Sequence, residues 1–87
     1  MILNVNEIED RVARFVRDDL MRGDASTELG VDDDLLSSGR IDSMGIMRLV
    51  GFIESEYDMG VPPEDVTIDH FYSVHSIASY IDRRIAG

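Results

Sequence analysis

The chain has 87 residues, which is room for one domain and not two, and a domain of that size buries too thin a core to wall a deep active site. Its 18 acidic and 8 basic residues leave a formal charge of −10, which repels nucleic-acid phosphates and anionic lipid, so neither nucleic acid nor a membrane surface is an expected partner. A hydrophobic content of 44% is that of a folded globule rather than an acidic tail, and the absence of cysteine excludes a disulfide framework, a thiolate zinc site and any thiol of the chain's own.

The opening residues, Met1-Ile2-Leu3-Asn4, have neither the basic flank nor the apolar stretch of a signal peptide. No apolar run approaches membrane-spanning length. A cytoplasmic protein is expected. A first helix is predicted from about Val5 to Met21, capped by Asn4 or Asn6 and ended by Gly23. Ile8, Val12, Phe15, Val16 and Leu20 form its apolar stripe. Glu7 with Arg11, Asp10 with Arg14 and Asp18 with Arg22 stand at i,i+4 in the favoured acid-before-base order.

Residues 23–42 then read as one long connection, of a length that is uncommon in compact domains unless it has a function. Leu29, Val31, Leu35, Leu36 and Ile41 are spaced through it like pegs, so the loop is expected to be tied to the core, with one short helical turn at most. Its Asp32-Asp33-Asp34 run lacks the alternation, glycine and distal glutamate of a calcium loop and reads as a solvated acidic stretch.

A second helix is predicted from Asp42 or Ser43 to about Tyr57, with Ile46, Leu49, Val50, Ile53 and Tyr57 on one face. Asp58-Met59-Gly60 breaks it, and Val61 to Asp65 form an irregular link. Thr67 caps a short helix, Ile68 to Tyr72. Ser73 caps the last one, whose Val74, Ile77, Ala78, Ile81 and Ile85 follow a helical pattern. His70 and His75 have no nucleophile or ligand set around them and read as surface or capping residues. Nothing reads as a strand. The fold class is all-α: a small four-helix bundle of three main helices and one short one, with a long first crossover loop.

The segment Leu35-Leu36-Ser37-Ser38-Gly39-Arg40-Ile41-Asp42-Ser43-Met44 resembles the phosphopantetheine attachment region of acyl and peptidyl carrier proteins, whose core is Asp-Ser-Leu or Asp-Ser-Met at a helix start. Such tripeptides arise by chance, but here the frame matches as well. The order of long helix, long loop, Asp-Ser, amphipathic helix, short helix and final helix covers nearly the whole chain. The stretch Val61 to Ile81, with Pro-Glu-Asp, Thr-Ile-Asp-His-Phe and Ser-Val, is similar to the last two helices of that family.

The resemblance implies a carrier rather than an enzyme, modified on Ser43 with 4'-phosphopantetheine taken from coenzyme A, whose thiol holds an acyl or aminoacyl group as a thioester. It implies three kinds of partner: a phosphopantetheinyl transferase, an acyl- or aminoacyl-activating ligase and a downstream transferase. A monomer is expected. Asp42 is the motif acid, which the family associates with metal-assisted transfer; here it also suits a helix cap, and Gly39 permits a tight turn just before the site. A helix N-terminus carries unpaired N–H groups and partial positive charge, so a phosphodiester on Ser43 is tolerated there.

At about 100° per residue, Met44, Met47 and Gly51 lie outward beside Ser43 and form an expected docking surface together with Arg48. Met44 also suits the edge of the core. Family members of bacterial fatty acid synthesis usually carry acids in the two turns after the serine, where this chain has Gly45 and Arg48. The Asp-Ser-Met-Gly opening is closer to free-standing carriers of amino acids such as the D-alanyl carrier proteins. The competing reading from another class is an unmodified helical adaptor that binds one protein through the same second-helix face.

Overall fold

A computed structural model describes residues 4–20, 30–36 and 41–86, which form helices joined by turns with no strand among them. Helix α1 spans Val5–Phe15, α2 Ser43–Tyr57, α3 Ile68–Phe71 and α4 Val74–Ala86. The expected helix end at Gly23, the Asp18 partner Arg22, the loop peg Leu29 and the turn at Gly39 lie outside the described residues.

Each helix starts on a residue whose side chain satisfies an amide that the helix itself leaves unbonded. Asn4, rather than Asn6, accepts from the N–H of Glu7 at 2.9 Å. Thr67 accepts from His70 at 3.3 Å and Ser73 from Ser76 at 3.1 Å. Helix α1 does not stay regular to about Met21: after Phe15 the chain widens into a π-helical segment, Val16–Leu20. Helix α2 ends at Asp58, which takes the left-handed conformation (φ 50°) while its N–H returns to the carbonyl of Glu54. The glycine two residues on is not the one that turns the chain. A 3-10 turn, Pro63–Asp65, follows, with proline in a first turn where its missing N–H costs nothing.

The core is one cluster. Ile8, Val12 and Val16 meet Leu49 and Ile53 of α2, Phe71 of α3, and Val74, Ile77, Ala78 and Ile81 of α4, all buried. α1 packs chiefly along α4. Phe15 and Phe52 are half-buried and stack on each other at 4.4 Å between ring centres. One expectation about the core needs correction, and one buried residue was not expected. Ile85 is 41% exposed and contributes no buried face, although its spacing continues the stripe, because it is not among the residues packed on the core. Tyr80, which the predicted stripe leaves out, is buried; its ring packs near Phe71 and His70 and its hydroxyl donates to Asp65 at 2.7 Å.

Polar side chains tie the elements together over long sequence distances. Arg11 pairs with Glu56 of α2, and no ion pair joins Glu7 to Arg11 or Asp10 to Arg14 among the described residues. His75 is bonded through Nδ1 to Glu9 at 2.6 Å, fastening α4 to α1, and its backbone N–H donates to Val31 at 2.8 Å. His70 Nδ1 lies 2.9 Å from the carbonyl oxygen of Asp65. Both histidines therefore join elements, which is more than the surface or capping role expected of them.

Candidate functional site

The site begins with the loop that delivers it. Leu35 and Ile41 are buried, and Leu36 packs against the core from a half-buried position. Val31 is 40% exposed, so among the described pegs it is the loosest. The backbone completes the tie: Leu35 donates to the carbonyl of Tyr72 at 2.8 Å, and Ile41 donates to the carbonyl of Leu35 at 3.2 Å. The loop entering the site is thus held against the α3–α4 junction.

The acidic run in this loop is built in rather than merely solvated. Asp33 accepts from the N–H of Gly30 at 2.8 Å and Asp34 from that of Leu36 at 3.0 Å, and both are half-buried. Short acidic side chains that bond backbone amides two or three residues away shape turns, which is why they sit where the chain must bend.

Asp42 caps α2. Its backbone is extended, its Oδ1 accepts from the N–H of Gly45 at 2.8 Å, and its carbonyl accepts from Ile46 at 2.9 Å. Ser43 is the first helical residue and is exposed. The N–H groups of Ser43 and Met44 have no acceptor among the described residues, so the first turn still has donors available to an anion. A phosphodiester on the Ser43 oxygen would stand beside these donors and in solvent, and the residues present fit such a group.

Along α2 the buried side chains are Leu49, Val50 and Ile53, with Ile46 and Tyr57 half-buried at the margins. Met44 is 76% exposed and Met47 65% exposed, so Met44 does not finish the edge of the core. Arg48 and Gly51 are exposed as well. Gly45 is buried, so its lack of an acid is not a feature of the exposed surface. Sequence reasoning counted Gly45 with Arg48 as one altered surface, and helical register alone could have separated them, since Gly45 lies four residues before Leu49.

The sequence pattern that defines the phosphopantetheine attachment site matches residues 10–81 of the chain, spanning α1, the Asp42-Ser43 turn and α4. The chain belongs to the acyl and peptidyl carrier protein family. That family is defined by a covalently attached 4'-phosphopantetheine, and its domains are in general carriers rather than catalysts. No curated protein sequence matches the chain. Within the carrier fold, no helix among the described residues is long and apolar enough to cross a membrane. No group of three or more His, Asp or Glu side chains among those residues is arranged to hold a metal ion.

Proposed function

We propose that Ser43 is the attachment point, and that the chain works as a carrier holding an acyl or aminoacyl group for other enzymes without catalysing a reaction itself. The observation that carries the reading is the pairing of an exposed Ser43 at the first position of α2 with Asp42 capping that helix, inside the stretch that matches the family. In the modification, the Ser43 hydroxyl gives up its proton and its oxygen forms a bond to the phosphorus that bears the pantetheine of coenzyme A. The bond from that phosphorus to the adenosine nucleotide breaks, and the nucleotide leaves. The attached arm supplies the thiol that the cysteine-free chain lacks.

Asp42 has a double role in this reading. One carboxylate oxygen accepts from Gly45 and fixes where the helix starts, and a carboxylate has a second oxygen for the role the family gives this acid. Met44, Met47, Arg48 and Gly51 form the docking surface for the transferase, an activating ligase and a downstream acceptor enzyme. The opening Asp-Ser-Met-Gly and the positive charge at Arg48 favour a specialised carrier of the aminoacyl type over the housekeeping carrier of fatty acid synthesis. We read the protein as a cytoplasmic monomer.

Incubation with coenzyme A and a broad-specificity phosphopantetheinyl transferase, followed by intact mass measurement, tests the attachment. Wild type gains the mass of one phosphopantetheine, and Ser43→Ala gains none while staying helical by circular dichroism. Modification of Ser43→Ala at Ser37 or Ser38 would overturn the assignment.

A further inference from the structure

Val31 is the loosest of the described pegs by its side chain, yet its backbone is held. Its carbonyl accepts from the N–H of His75 at 2.8 Å, and Leu35 donates to the carbonyl of Tyr72 at 2.8 Å. The loop from Val31 to Leu35 is therefore pinned at both ends to the junction of α3 and α4. Where that junction stands depends in turn on what holds the first turn of α4.

Glu9 of α1 holds it. His75 Nδ1 lies 2.6 Å from Glu9 Oε2, and because a carboxylate only accepts, Nδ1 is the nitrogen that carries the hydrogen. The side chain of His75 is 52% exposed, but that of Glu9 is only 12% exposed. Glu9 has no other bonding partner among the described residues. A carboxylate so far out of water costs free energy once its partner is lost, so the pair resists any shift of α4 that would part it.

The contacts form one continuous series. Glu9 holds the His75 side chain, the His75 N–H holds Val31, and Tyr72 holds Leu35, whose carbonyl accepts from Ile41, two residues before Ser43. Resting on Ser43 as the attachment point, we infer that His75, paired with Glu9, is a positioning residue for the modification: it sets where the Ser43 hydroxyl stands for the transferase. It acts through Val31 and the loop. Glu9, mostly buried, shares the role without offering the enzyme a surface.

The test measures kcat and KM of a broad-specificity phosphopantetheinyl transferase for wild type, His75→Ala, His75→Asn, Glu9→Ala and the double alanine variant. Helicity, the urea midpoint and the amide resonances of Ile41 and Ser43 are recorded for each. Asparagine carries an N–H at the same distance from the backbone as Nδ1 and can keep the bond to Glu9, whereas alanine cannot. Both single alanine variants should raise KM about threefold with kcat unchanged, because fewer molecules present Ser43 correctly. Their Ile41 and Ser43 resonances should move, and His75→Asn should return both readouts to near wild type. The double variant should be no worse than either single one, since all three lack the same pair. A pair that merely stabilised the fold would lower the urea midpoint and leave the KM and the resonances of the folded protein alone. Wild-type KM in His75→Ala and Glu9→Ala overturns the inference, and so does a His75→Asn protein as impaired as His75→Ala. Should His75→Ala fail to fold, Glu9→Ala decides by the same measure. Failure of wild type to gain any phosphopantetheine is a different result: it removes Ser43 as the attachment point and the positioning role with it.

Discussion

Leu35 is fastened to Tyr72: its backbone N–H donates to the Tyr72 carbonyl at 2.8 Å, and its own carbonyl accepts from Ile41, two residues before Ser43. The position of the Asp42-Ser43 turn relative to α3 and α4 thus depends on the packing of two buried side chains, Leu35 and Ile41. Each truncation, Leu35→Ala or Ile41→Ala, should cost about 2–5 kcal/mol, the range for a buried large-to-small change. Because the two share one hydrogen-bonded loop, the double change should cost less or more than the sum rather than equal it. Urea unfolding of the three variants checks this. An Ile41→Ala protein as stable as wild type would mean that the loop is not held there.

Tyr80 links α4 to the connection before α3, and it supplies a pH dependence. Burial, and after it the bond to Asp65, pushes the hydroxyl's pKa up from 10.0 to about 12. A tyrosine whose pKa is raised in the folded state keeps its full contribution below pH 10, where it is neutral in both states. That contribution is then lost as the pH climbs through 10 toward 12, because the unfolded chain releases its proton first. The urea midpoint should be flat up to about pH 10 and fall above it, and Tyr80→Phe should flatten most of that fall. At neutral pH the same variant should be about 1 kcal/mol less stable for loss of the hydrogen bond. An alkaline decline identical in both proteins would remove Tyr80 as its source.

Tyr57 presents the opposite case. Its hydroxyl is buried with no hydrogen-bond partner among the described residues, and burial raises its pKa as well. A polar group taken from water and given nothing in return costs free energy. Tyr57→Phe removes that group and keeps the ring, so it should leave stability unchanged or raise it by about 1 kcal/mol. Loss of more than that amount in urea unfolding would show that the hydroxyl has a bonding partner in solution.

What could be read from the sequence was local. Asn4, Asp42, Thr67 and Ser73 each cap a helix because a short oxygen-bearing side chain needs only to reach two or three residues forward, and the apolar spacing that follows each cap is visible along the chain. The helix start at Asp42 and Ser43 was legible for the same reason. What escaped depends on distance. Arg11 turns to Glu56, 45 residues away, rather than to Glu7 on its own helix. Tyr80 is drawn inward because Asp65, fifteen residues earlier, receives its hydroxyl. The π-helical segment after Phe15 contains no proline or glycine to announce it. Gly45 reads as a surface departure because related carriers have acids in that turn, whereas it is buried and its register puts it beside Leu49.

The burial of Gly45 also decides which variant tests partner choice. Gly45 has almost no exposed surface, so an acid introduced there would be taken from water, and that cost would obscure any effect on docking. Arg48 is exposed and can be reversed without that penalty. A charge at the rim of a docking surface acts mainly on encounter rate and on the rejection of wrong partners. An enzyme accustomed to acids in the two turns after the serine meets a repulsive side chain at Arg48 and no acid before it. After phosphopantetheinylation, wild type should therefore be a poor acceptor for the malonyl transferase of bacterial fatty acid synthesis. Arg48→Glu should accelerate that transfer several-fold at low salt, with the gain shrinking as salt shortens the Debye length below about 10 Å. The readout is the rate of malonyl transfer to each protein at two ionic strengths, beside an authentic fatty-acid carrier. Wild type loaded as fast as that carrier would replace the specialised reading with the housekeeping one. An Arg48→Glu protein no faster than wild type at either salt would show that this transferase does not read the second turn of α2 by charge.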